Sequence, residues 1–289
     1  MQSVYCGLSS MKIAVSNIAW DNRYLAEHLA LLKDLGCDGV ELAPSCIWPE
    51  PVFATAAERN ALRDTIKRSG LELVGFHALL FTRPDLQLFA DRDSCSATID
   101  YLARLAELCA DLDGGLLVLG SPRNRVLHGR RYDECMKWAT DAFRTLVEAC
   151  APRGVIFCIE PLGPDETEFI MSAREGAELV ESVSHPNFRL HLDAKALIGT
   201  GENLEQVLAQ HGELLRHFHV GDPGLAPPGA TGADHAPFGK ALRQYGYRGY
   251  VSIEMRRGPG DSRDAIRESV DYVRRNYIGA EPVAVGADG

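Results

Sequence analysis

The chain has 289 residues, 46% of them hydrophobic and 24% charged, close to the globular averages of about 45–50% and 25%. Its formal net charge of −10 argues against a nucleic-acid or anionic-membrane surface, which needs clustered Lys and Arg. No apolar run approaches the ~20 residues of a membrane span, and eight cysteines without CxxC spacing read as thiols of a reducing cytoplasm rather than a disulfide or zinc framework.

Residues 1–10 lack the basic and apolar segments of a signal peptide and are expected to form an N-terminal extension before Met11. From there, short β-rich runs alternate with amphipathic stretches. The pattern predicts strands near 12–16, 38–42, 72–77, 115–120, 155–160, 188–193, 215–220 and 250–254. Helices are predicted near 24–36, 54–69, 96–112, 131–152, 173–183, 203–211, 235–246 and 261–276. Gly36, Gly70, Gly154 and Gly246 each follow a helical pattern, where a left-handed cap is favoured. Such alternation implies a parallel sheet with right-handed crossovers. Eight rounds predict an α/β fold, a single (β/α)8 TIM barrel over residues 11–278, with 279–289 a flexible tail. An open doubly wound sheet would carry a Gly-rich phosphate loop after the first strand, and Ser16-Asn-Ile-Ala-Trp20 is not one.

Four side chains close strand-like runs: Glu160, Asp193, His219 and Glu254. In a barrel, residues at the carboxyl ends of strands converge on one face, where chemistry is done. A single carboxylate just past a strand is ordinarily a surface charge, but four matched placements on strands five to eight are not ordinary. Three carboxylates and an imidazole brought together would repel one another without a cation. The oxygen-rich set suits Mn²⁺, Mg²⁺ or Co²⁺, with Zn²⁺ possible. Residues two before them, Cys158, His191, His217 and Ser252, share their orientation one layer lower. His191 and His217 are expected to be hydrogen-bonded supports. A cation gripping two adjacent oxygens of a sugar would stabilise an enediolate, with Glu160 and Glu254 placed to exchange a proton on opposite faces of the carbon.

The motifs Ile159-Glu-Pro-Leu162, His191-Leu-Asp193, Phe218-His-Val-Gly-Asp222 and Ser252-Ile-Glu254, with Asp38-Gly-Val-Glu41 earlier, resemble those of the xylose isomerase-like TIM barrels. The likeness covers residues 11–277 and is strongest to the sugar phosphate isomerase/epimerase group that includes the ketose 3-epimerases. The resemblance implies one divalent metal, manganese first among the candidates, on Glu160, Asp193, His219 and Glu254. It implies an acid/base pair of Glu160 and Glu254, a sugar contact at Glu166, and a homodimer or homotetramer. Two departures stand out. The group's substrate-binding His, three residues after the Asp ligand, is Ala196 here, and its Arg, six residues after the His ligand, is Leu225. Lys195 replaces an apolar residue, so it and the loop 120–125 are expected to set substrate choice.

Further candidates for the same face are His77 and Glu41 at the ends of strands three and two, as substrate contacts or structural hydrogen-bonding groups, Arg256 past strand eight, and Arg123 with Arg125 as an anion grip or a solvated loop. Trp20, Trp48 and Phe81 are placed to cover a sugar or to pack beneath loops, and the Gly/Pro-rich run 221–239 to form a lid or rim. The expected function is a metal-dependent sugar isomerase or epimerase on a small sugar-derived substrate. A lyase or dehydratase on a keto-sugar or cyclitol is the alternative. A DNA-repair endonuclease is disfavoured by Ala196, where a further His ligand is needed, and by the negative charge.

Overall fold

The computed structural model describes residues 11–279; the expected N-terminal extension and all but the first residue of the expected tail lie outside that range. Eight parallel strands close on themselves in sequence order. They are β1 Lys12–Ser16, β2 Gly39–Leu42, β3 Glu72–Phe76, β4 Leu116–Leu119, β5 Ile156–Ile159, β6 Phe188–Asp193, β7 Leu215–Val220 and β8 Tyr250–Ile253. Each pairs in parallel with its neighbours, and β1 meets β8 through Lys12↔Tyr250 to Val15↔Ile253. Around them, the described residues place α1 Leu25–Asp34, α2 Ala56–Ser69, α3 Arg92–Asp111, α4 Tyr132–Cys150, α5 Ala173–Val183, α6 Ala194–Thr200, α7 Leu204–His211, α8 Ala236–Tyr245 and α9 Ser262–Val273.

The strands are short and apolar because helices bury their outer face while the lumen buries the other. Alternation along β1 shows the division: Ile13 and Val15 join the large outer core, whereas Ala14 belongs to a separate lumen cluster with Val74, Leu116, Val118 and Cys158. Opposite these apolar residues the lumen holds Glu41, His191, His217 and Ser252, all fully buried. Gly36, Gly70, Gly154 and Gly246 all adopt positive φ, between 69° and 81°, as their positions after helical patterns predict.

Two helices depart from expectation. α3 begins at Arg92, not near 96, because Asp91 accepts from the Ser94 amide at 2.7 Å and caps it earlier. α6 was not anticipated. Its seven residues are too few to stand alone, and it is started by Asp193, whose Oδ1 accepts from Lys195 N at 2.8 Å.

Candidate metal and acid/base site

The four strand-end residues meet. One potential ligand atom from each of Glu160, Asp193, His219 and Glu254 lies within 4.8 Å of the others. Glu160 and Glu254 stand one residue beyond β5 and β8, held by backbone hydrogen bonds to Leu119 and Val220 of the preceding strands. Asp193 ends β6 and His219 sits in β7, each about 1% exposed. Asp193 spends Oδ1 on capping α6 and leaves Oδ2 without a partner. His219 gives Nε2 to Glu41 at 3.0 Å and keeps Nδ1 free of a hydrogen bond, 3.4 Å from Glu254. Orphaned buried donors and acceptors facing one another are costly, and a divalent cation satisfies all of them at once. An oxygen-rich set with one imidazole suits a hard or borderline divalent cation.

Burial, with the neighbouring charges of Glu254 and Asp193, pushes the Glu160 carboxyl up to about 8. Burial likewise raises Asp193, to about 6, against the opposing pull of Lys195. Burial also works to raise Glu254, but His219 and His77 outweigh it and hold this carboxyl well below the usual range. His219 is raised: burial disfavours its charge, yet Glu41 and Glu254 overcome the penalty. The cluster thus balances its own charge by holding protons, the state expected of ligands that a cation would deprotonate.

The surrounding side chains sort differently from expectation. Glu41, a candidate either for substrate contact or for structural hydrogen bonding, is completely buried and takes the second role. Its carboxylate accepts from His217 Nε2 at 3.1 Å, from His219 Nε2 and from Ser252 Oγ, so it orients the His219 imidazole from below. His77 is 2% exposed and lies 3.0 Å from Glu254 Oε1, with Ser16 Oγ on its other nitrogen. It supports Glu254, a role in which Ser16 joins it. Ser16 was overlooked by sequence reasoning, although it too closes a strand. His191, expected to be a hydrogen-bonded support, is wholly buried but has no hydrogen bond at either ring nitrogen, because its nearest carboxylate, Glu160 Oε1, stays 3.8 Å from Nε2.

Lys195 is drawn into the cluster's mouth. Its side chain is 14% exposed, and Nζ lies 3.1 Å from Glu166 on the β5–α5 loop. Burial penalises the charge, but Asp193, Glu160, Glu254 and Glu166 more than restore it, leaving the ammonium firmly protonated. Lys195 and Glu166 therefore form one polar pair at the rim. Arg123 and Arg256 are exposed, and among the described residues neither side chain forms an ion pair. Arg125 takes the inner position: it is 1% exposed and donates from Nη1 to the Glu160 carbonyl at 2.9 Å. Trp20 is 3% exposed and stacks on His28 with ring centres 5.1 Å apart, so it is core rather than a sugar cover. Trp48 also packs against the core, while Phe81 is exposed. The Gly/Pro-rich loop is pinned by Asp222, which accepts from Gly229 N, Thr231 N and His235 Nε2.

One unforeseen residue bears directly on the place of Glu160. A Cβ on Gly120 would come within 2.2 Å of Glu160 Oε2, so only glycine leaves that carboxylate its place. Gly120→Ala is expected to displace Glu160, lowering metal affinity and turnover by about 10-fold or more, as small misplacements of catalytic groups do. Titration with Mn²⁺ alongside steady-state kinetics checks this, and unchanged values would show that Glu160 can shift without loss.

The family described as xylose isomerase-like TIM barrel matches residues 29–276. The chain belongs to this family. Among its relatives is a D-psicose 3-epimerase of Ruminiclostridium cellulolyticum, 26% identical over 255 residues that cover 84% of this chain and 83% of the relative. A 3-dehydro-D-guloside 4-epimerase of Escherichia coli is 24% identical over 282 residues, covering 91% and 99%. Among solved structures, a D-psicose 3-epimerase from Clostridium cellulolyticum with D-tagatose superposes with a TM-score of 0.77 at 19% identity, covering 92% of this chain and 99% of that one. These likenesses agree with the closed barrel. No helix among the described residues is long and apolar enough to cross a membrane.

Proposed function

We propose that this protein is a divalent-metal-dependent sugar epimerase that moves a proton on a carbon next to a carbonyl. The observation that carries the reading is the convergence of Glu160, Asp193, His219 and Glu254 within 4.8 Å in a chain whose curated relatives are named as sugar 3- and 4-epimerases. We infer Mn²⁺ as the resident ion, with Mg²⁺, Co²⁺ and Zn²⁺ the alternatives, and a cytoplasmic setting in keeping with seven described cysteines that are all free.

In this mechanism Glu160, Asp193, His219 and Glu254 would hold the cation, which when bound would supply Lewis-acid stabilisation of negative charge developing on the substrate. Glu254, steadied by His77 and His219, takes the proton from one face of the carbon. Glu160, ionised while it ligates, passes a solvent-derived proton to the other face. Their order reverses for the reverse reaction. Glu166 and Lys195 at the mouth bind substrate hydroxyls or a keto oxygen, polar contacts that Ala196 and Leu225 cannot offer. Arg125 fixes the backbone at Glu160.

The test is to incubate metal-loaded protein in D₂O with ketoses, aldoses and 3-keto-glycosides. Deuterium should enter at a carbon next to the carbonyl as the epimer forms, and chelation should stop it. A product lacking the elements of water would instead mark a lyase. No exchange with any of these classes would sink the reading. Lys195→Met is expected to lower kcat/KM on the true substrate by about 10–200-fold, the weight of one lost buried polar contact, with metal content unchanged. Unaltered kinetics would remove Lys195 from the substrate site.

A further inference from the structure

A second cavity, of about 560 Å³, opens at the opposite end of the barrel, among the amino ends of the strands and the second half of α2. Lys12, Arg63, Lys67, Arg216 and Arg248 line it, against two lining carboxylates, Glu72 and Asp113. Five basic side chains thus line one cavity of a chain that carries −10 overall. The two carboxylates are already spent. Glu72 pairs with Lys12 at 2.8 Å and accepts from the Tyr250 hydroxyl, and Asp113 pairs with Lys67 at 2.6 Å.

That leaves three guanidinium groups with unmet capacity. Arg216 and Arg248 form no ion pair among the described residues. Arg63 approaches Asp64 only at 3.6 Å and donates from Nη1 to the Asp111 carbonyl at 3.4 Å, leaving its Nε buried without a partner. The floor points the same way. His217 lines the cavity, is fully buried, gives Nε2 to Glu41, and leaves Nδ1 with no hydrogen bond. Clustered guanidiniums recognise carboxylates and phosphates through paired donors, and an anion bound among them would offset their mutual repulsion. The metal cluster lies across the lumen, so this wall is no part of the site described above.

We propose that this cavity binds a small organic anion of two or more charges, a phosphate monoester or a dicarboxylate, gripped by Arg63, Arg216 and Arg248 over His217. Such a ligand would sit two hydrogen bonds below the metal ligand His219, through His217 and Glu41. The site is independent of which sugar the opposite face handles.

Calorimetric titration of the metal-loaded protein at fixed ionic strength tests it, with glycerol 3-phosphate, succinate and, as a neutral control, glycerol. One molecule of glycerol 3-phosphate or succinate should bind saturably, and whichever binds tighter identifies the ligand chemistry. The exposed pair Arg216→Gln/Arg248→Gln should weaken that binding at least 10-fold, and Arg248→Gln alone by a smaller factor. Lys195→Met, at the far end of the barrel, should leave it unchanged. The proposal fails if neither anion binds saturably, if glycerol binds equally well, or if binding survives the double variant or is lost in Lys195→Met.

Discussion

Glu160→Gln and Glu254→Gln should each lower turnover by about 10²–10⁴, the usual weight of general acid–base catalysis. Glutamine keeps an oxygen within reach of a cation but cannot take a proton. Both carboxylates are candidate ligands, so metal content must be measured beside the rates. The two variants should then differ in kind. With Glu254 replaced, a substrate whose proton leaves toward that side should show neither product nor deuterium exchange. With Glu160 replaced, the proton can still leave and return on the same side, so deuterium enters the starting sugar without epimer forming. Starting from the epimeric product, the two patterns should exchange. Retained turnover in both metal-loaded variants would rule out the two-carboxylate mechanism, and loss in only one would mark a single base serving both steps.

Much of this site is legible in the chain because a strand has period two and a barrel gathers its strand ends. Glu160, Asp193, His219 and Glu254 close apolar runs, so their meeting follows from local pattern plus topology. Glu41 closes such a run as well, and there the same reasoning fails. Whether a strand-end carboxylate faces the mouth or the lumen depends on its partners, and the imidazoles that hold Glu41 are 176 and 178 residues away. The loop 120–125 fails for a shorter-range reason. Ser121 adopts φ 38° and ψ 63° before a 3₁₀ turn over Pro122–Asn124, and that backbone turns Arg125 inward while Arg123 stays in solvent. No residue count distinguishes two arginines two positions apart. Gly120 is invisible for a third reason: its importance is the absence of an atom, and only the position of Glu160 reveals what a methyl group would strike.

The largest loss of metal should come from His219→Ala, with Glu41→Ala separating the ligand from its support. Removing an outer partner of a ligating histidine ordinarily costs about 10–100-fold in metal affinity, so Glu41→Ala should fall in that range and His219→Ala beyond it. Glu41→Ala carries a second penalty. Nε2 of His217, Nε2 of His219 and Oγ of Ser252 would all lose a buried acceptor, and breaking a buried charged network by removing one member costs about 3–5 kcal/mol. Its thermal midpoint should therefore drop, whereas His219→Ala should lose metal with less loss of fold. The pH dependence supplies an independent reading. In the metal-free protein Asp193 titrates near 6, Glu160 near 8, and His219 above its ordinary value. All three must shed protons to ligate, so in the wild type the apparent affinity for Mn²⁺ should climb as pH rises from about 6 to 8, with protons released on binding. Titration calorimetry in two buffers of different ionisation enthalpy counts those protons. An affinity flat across this range, or His219→Ala protein that still binds one Mn²⁺ as tightly as the wild type, would show that the cation is held elsewhere.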